Sequence, residues 1–149
     1  MTFRAPAADR AAAVEELRTR AFPAQRVRTG AVVSDPVHHW AELLRTPVWE
    51  GDVADRDAAE ERAAAERLAL SGELAARWEA EPQTVGLASL LLREAGGEEL
   101  PEPWRLLGRS VPDVDLWQVD GRWIAIGVSG LPGDQERVLV AVVTSTDPP

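Results

Sequence analysis

The sequence predicts an α+β domain: about four helices, one of them long and acidic, packed on a small C-terminal antiparallel sheet of three or four strands. Three observations predict it. Apolar residues recur at helical spacing through much of residues 7–108. From residue 113 the period changes to alternation, and VDLWQV and RWIAIGV flank Asp120-Gly121, the two-residue signal of a type I′ hairpin. A third β-branched run, RVLVAVVT (137–144), follows the loop SGLPGDQ (129–135). The chain of 149 residues reads as one domain, helical over about 7–108 and β over about 113–145.

Taken in order, the first helix runs from about Ala7 to Ala21, with Val14, Leu17 and Ala21 on its apolar side and Pro23 beyond it. RVRTGAVV (26–33) is β-branched around Gly30 and reads as a short strand or an extended connection. The next helix starts at SDP (34–36), where Ser34 or Asp35 caps and Pro36 takes the first turn. Val37, Trp40, Ala41 and Leu44 then fall at i, i+3, i+4 and i+7, and Pro47 stops the stripe. Residues 52–80 read as one long helix, or two joined at Ser71-Gly72, with Ala63, Ala64, Leu68, Leu70, Leu74, Ala75 and Trp78 on the inner side. TVGLASLLLREAGG (84–97) is apolar nearly all round and reads as a buried central helix ending at Gly96. LPEPWRLLG (100–108) is a helix of one or two turns followed by Gly108. The third strand is apolar on both faces, an aggregation hazard if left at an edge. Pairing with the 26–33 segment covers it best, a second copy of the chain comes next, and a covering helix is the remaining alternative.

Composition narrows function more by exclusion than by indication. The chain has no Cys, no Lys and no Tyr, so thiolate chemistry, disulfides and thiolate zinc sites are absent. All 16 basic residues are Arg, which with abundant Ala, Gly and Pro indicates a GC-rich, bacterial codon usage. No apolar run has the length of a signal peptide or a membrane span, so the expectation is a cytoplasmic protein without a membrane partner. Net charge is −9 and uneven: residues 50–81 carry ten acids against four Arg, a face that repels phosphate backbones and suits a basic partner. No nucleic-acid motif or phosphate-loop spacing occurs.

His38 and His39 are the only histidines, and they are adjacent. On a helix they would point about 100° apart and could not share a metal. The stripe puts His39 on the wet side and His38 at the flank, one turn from Glu42, so both read as surface residues. A catalytic base at His38, with Asp35 or Glu42 as its partner, is the minor alternative. Trp40 and Trp78 read as core, while Trp49 and Trp104 sit by prolines and cap its edges. In the hairpin, Val119 pairs with Arg122, Gln118 with Trp123, Trp117 with Ile124 and Leu116 with Ala125, so Trp117 and Trp123 face opposite ways. An outward Trp123 beside Arg122 and Gln118 would suit a protein contact. Asp113 and Asp115 share a face, where mutual repulsion would raise one pKa.

These features point to a small non-enzymatic protein-binding module, an adaptor or an immunity-type inhibitor. Its contact residues would be Trp117, Trp123, Arg122 and Gln118, or Glu60, Glu61, Glu66 and Glu73 of the acidic helix. No catalytic residue, metal ligand or cofactor is assigned. The alternatives are a small-molecule or enzymatic pocket between helices and sheet, and a homodimer through the last strand. The closing WQVDGRW hairpin resembles the last strands of cone-shaped α+β folds of the NTF2-like type, a likeness confined to residues 114–128.

Overall fold

The computed structural model describes residues 6–47, 53–130 and 136–149. The elements run α1 (Pro6–Thr19), β1 (Val27–Thr29), β2 (Val32–Ser34), β3 (His38–Pro47), α2 (Val53–Trp78), β4 (Gln83–Gly86), α3 (Ala88–Ala95), α4 (Trp104–Ser110), β5 (Asp113–Val119), β6 (Arg122–Ser129) and β7 (Glu136–Thr144). The α+β mixture holds, but the expected architecture does not. Seven strands form one antiparallel sheet in the order β1-β2-β3-β7-β6-β5-β4, and helices alternate with strands instead of preceding them.

The largest correction is at 36–46, where His38–Pro47 form a strand and not a helix. The same residues that make a helical stripe also alternate, and pairing decides between the two readings. β3 lies antiparallel to β7 from His38↔Thr144 to Pro47↔Glu136, with a bulge between Glu42 and Leu44. The Asp35 signal is real but serves a turn: Oδ1 accepts the N–H groups of Val37 and His38, both at 2.8 Å, as the chain reverses from β2 into β3. Residues 26–33 are accordingly two short strands hinged at Gly30, whose φ is +61°, and β2 pairs with β3, not with β7.

β7 is therefore central. Its both-face apolarity is explained by β3 on one side, β6 on the other and helices above and below, and a dimer through its edge is ruled out because it has no free edge. The β5–β6 hairpin has the anticipated register, with Asp120 and Gly121 at φ +51° and +80°. Residues 84–97 divide into β4, paired with β5, and the two-turn α3, which does end at Gly96. α3 is not central: Leu90 is buried, while Leu91 and Leu92 are exposed. Gly108 falls inside α4, where an added Cβ would lie 3.1 Å from that of Leu90, so its smallness lets α3 and α4 approach.

Two cores result. Ala11, Val14 and Leu17 of α1 and Leu70 and Leu74 of α2 pack on Trp117, Ile124, Ile126, Leu139, Ala141 and Val143. On the other face Leu87, Leu90, Trp104, Leu107 and Val111 pack on Val114, Leu116, Ala125, Val138, Val140 and Val142. Trp104, expected at the rim, is buried in the second core. α2 is one helix with no joint at Ser71-Gly72. Leu68, expected on its inner side, is exposed, because it lies two residues, about 200° of rotation, from the buried Leu70. Trp49 and most of SGLPGDQ fall outside the described residues.

Candidate functional site

Strand geometry turns the two histidines to opposite faces of the sheet, and both are buried, not on the surface. His39 faces α1. Its Nε2 lies 3.0 Å from the Arg20 carbonyl, which can only accept, so Nε2 carries the proton; Nδ1 therefore accepts from the Ser34 hydroxyl at 2.6 Å. Phe22 stacks at 4.7 Å on its ring. Burial lowers its pKa, with only partial opposition from the Arg20 carbonyl. It is a satisfied structural residue that fastens β3 to the end of α1.

His38 faces the other way, on the side of the second core. Burial lowers its pKa, Asp35 and Glu102 partly oppose this, and the Arg26 charge reinforces it, so the ring is neutral near pH 7. Asp35 Oδ1 lies 3.2 Å from Nδ1, yet the approach is too bent for a hydrogen bond and Nδ1 is left without one. A carboxylate there favours the Nδ1–H tautomer, which leaves the Nε2 lone pair as an acceptor. The ring lines a recess of about 300 Å³, bounded by His38, Trp40 and Glu42 of β3, Val33 of β2, Val140 of β7, Leu106 and Ser110 of α4, Ser129 and Arg26. Alternation along β3 explains why His38, Trp40 and Glu42 share this face. Arg26 is exposed and has no ion pair among the described residues; Glu42 is paired with Arg45.

The anticipated contact residues are largely absorbed by the fold. Trp117 is buried, donates to the Ala80 carbonyl at 2.9 Å and meets Trp78 edge-on at 5.2 Å. Arg122 closes the end of α1 by donating to the carbonyls of Arg18 and Arg20 at 3.0 and 2.6 Å, and lies 4.2 Å over Phe22. Trp123 is half-buried against the second core and donates to Asp147 Oδ1 at 3.0 Å. Gln118 is exposed. The two tryptophans face opposite ways, as their alternation requires, and the sheet is covered on both sides. On the acidic helix, Glu60 pairs with Arg137 at 2.6 Å, Glu66 with Arg10 at 2.6 Å and Glu73 with Arg77 at 3.9 Å. Glu61 is exposed.

Asp113 and Asp115 do share a face, but the expected upward shift is reversed. Arg67 of α2 pairs with both, and Asp115 also accepts from Ser71 at 2.7 Å and Thr84 at 3.1 Å. Burial alone would raise the Asp115 pKa; Arg67 and Ser71 outweigh it and hold the carboxylate ionised. This is a clamp between α2 and the sheet, unsuited to proton transfer.

Among the described residues no group of three His, Asp or Glu is placed to hold a metal, and no helix is long and apolar enough to cross a membrane. Comparison of the chain with known families, curated proteins and solved structures gives no match. The recess escapes sequence reading because its residues come from separated segments, and because His38-Trp40-Glu42 is visible as a set only once 38–47 is a strand. The one signal that points there is Asp-Pro as a turn before an alternating run.

Proposed function

We propose that the protein binds a small molecule in the recess beside His38, without catalysing a reaction. The observation that supports this best is a neutral, buried imidazole at the edge of an open cavity, beside a carboxylate and adjoining a tryptophan. Binding pockets combine apolar walls with a few fixed polar groups, and Val33, Leu106 and Val140 supply walls beside His38, Ser110 and Ser129. A neutral histidine is also half of a general-base pair, but Ser110 donates its hydroxyl to the Leu106 carbonyl at 2.8 Å, and among the described residues neither Ser110 nor Ser129 is hydrogen-bonded to His38. A screen of neutral and charged aromatic fragments by NMR tests the reading. Hits should move the indole N–H signal of Trp40 and the ring signals of His38 and lose affinity in Trp40→Ala; a screen in which no fragment moves these signals contradicts it.

A second reading keeps the protein-binding module on α2. Leu68 is 74% exposed and lies seven residues, two helical turns, from the exposed Glu61, so an apolar and an acidic side chain share the outward face. A basic partner would suit this strip. Glu61→Lys and Leu68→Ser probe it without disturbing the ion pairs of Glu60, Glu66 and Glu73, and unchanged capture of a partner by both variants would exclude it.

A further inference from the structure

The His38 recess also carries information about the chemistry of its ligand, an inference that rests on the small-molecule reading above. Three carboxylates act on this part of the molecule besides Arg26. Glu42 pairs with Arg45, which it shares with Glu136, and Glu102 pairs with Arg105, which it shares with Glu94. Asp35 is occupied by two backbone N–H groups and by the edge of the His38 ring. Arg26 lines the recess with no carboxylate partner among the described residues, in a protein whose acids outnumber its bases 25 to 16. Arg28, Arg56 and Arg62 are likewise exposed without an ion pair among the described residues, but of these only Arg26 lines the recess. Arg26 and His38 line the same recess, and the Arg26 charge helps to lower the His38 pKa.

We infer that the recess takes a small organic anion with a flat apolar body: the anionic group meets the Arg26 guanidinium and the body lies against Trp40 and Val140. A guanidinium presents parallel N–H donors that match a carboxylate or a phosphate, and a charge-assisted pair of this kind is worth roughly twice a neutral hydrogen bond. A neutral His38 with its Nε2 lone pair accepts a hydrogen bond from a hydroxyl or N–H on the same body.

The test compares 2-naphthoate with its neutral isostere 2-naphthamide on the full chain, by NMR titration of the Trp40 and His38 signals. The carboxylate should bind about tenfold more tightly than the amide. Arg26→Gln, a substitution at an exposed position, should abolish that difference, while Arg28→Gln, exposed and outside the recess, should preserve it. Equal binding of the two probes, or a preference that survives Arg26→Gln, overturns the anionic assignment and leaves the small-molecule reading standing. No perturbation of Trp40 or His38 by either probe overturns both.

Discussion

Under α1 and α2 the sheet is filled from β3 to β5, with Ala41, Leu139, Ala141, Val143, Ile124, Ile126 and Trp117 meeting Val14, Leu17, Leu70 and Leu74. On the opposite face α3 and α4 cover β5 to β7 and leave β3 beside an open recess. Adjacent residues of one strand show the difference at its sharpest. His39 has both nitrogens satisfied and a ring packed on Phe22, whereas His38 is as thoroughly desolvated but has an unbonded nitrogen and a cavity beside it. Burial alone therefore does not separate the two histidines. The completeness of their hydrogen bonds does.

Substitutions can break or sharpen that contrast. The largest effect is expected for Trp104→Ala, which empties the centre of the second core and removes the donor to the Thr146 carbonyl; about 4 kcal/mol of stability should be lost in urea unfolding. A loss no larger than that of an exposed residue would mean that the second face has no core of its own. Gly127→Val comes next. Its Cβ would fall 2.6 Å from Val111 Cγ1 and 3.0 Å from the Asp113 carbonyl, where the α4–β5 connection rests on β6, and about 3 kcal/mol is expected.

Arg67→Ala should cost about 2 kcal/mol on the first face, because it strands the half-buried Asp115. The pH dependence follows from the sign of the shift. A carboxylate held below its ordinary 3.8 adds stability above that value and loses it as pH falls further, so the cost of Arg67→Ala should shrink in acid. For the histidines, a pKa below the ordinary 6.5 means that the unfolded chain takes up protons first, so stability is full above 6.5 and declines as pH falls below it. His39→Gln should reduce that decline, by up to about 1.4 kcal/mol for each unit by which the ring is shifted. A stability profile flat between pH 7 and 5 would contradict two neutral buried rings. The smallest effect is expected for Leu68→Ser, within about 0.5 kcal/mol, since an exposed side chain has little packing to lose.

How much of this was legible in the sequence varies along the chain, for physical reasons. The β5–β6 hairpin was readable to the residue, because Asp120-Gly121 is a local signal that sets the register of everything around it. α1 was readable over most of its length, since Val14 and Leu17 keep helical spacing and no strand competes for them, although the helix ends at Thr19 and Ala21, expected on its apolar side, is exposed. β3 was not. Val37, Trp40, Ala41 and Leu44 satisfy a helix, the segment is poor in β-branched residues, and the decisive partner lies about a hundred residues away in β7. That single misreading also concealed the site. It sent His38 and His39 to the surface, divided Trp40 from His38 and left β7 without its neighbour. The acid pairs were legible as neighbours, but Arg67, which reverses the behaviour of Asp115, arrives from another element. Charge on α2 was likewise legible as a count, and its partners Arg10 and Arg137 were not.

The most direct measurement is the tautomeric state of the two histidines, read from their ring nitrogen shifts in 15N-labelled protein at pH 7.5. The account predicts two neutral rings of opposite kind: Nε2–H for His39, held by the Arg20 carbonyl, and Nδ1–H for His38, facing Asp35 with Nε2 left to accept from a ligand. Finding His38 protonated, or in the same Nε2–H form as His39, would contradict the division of the sheet into a structural face and a binding face.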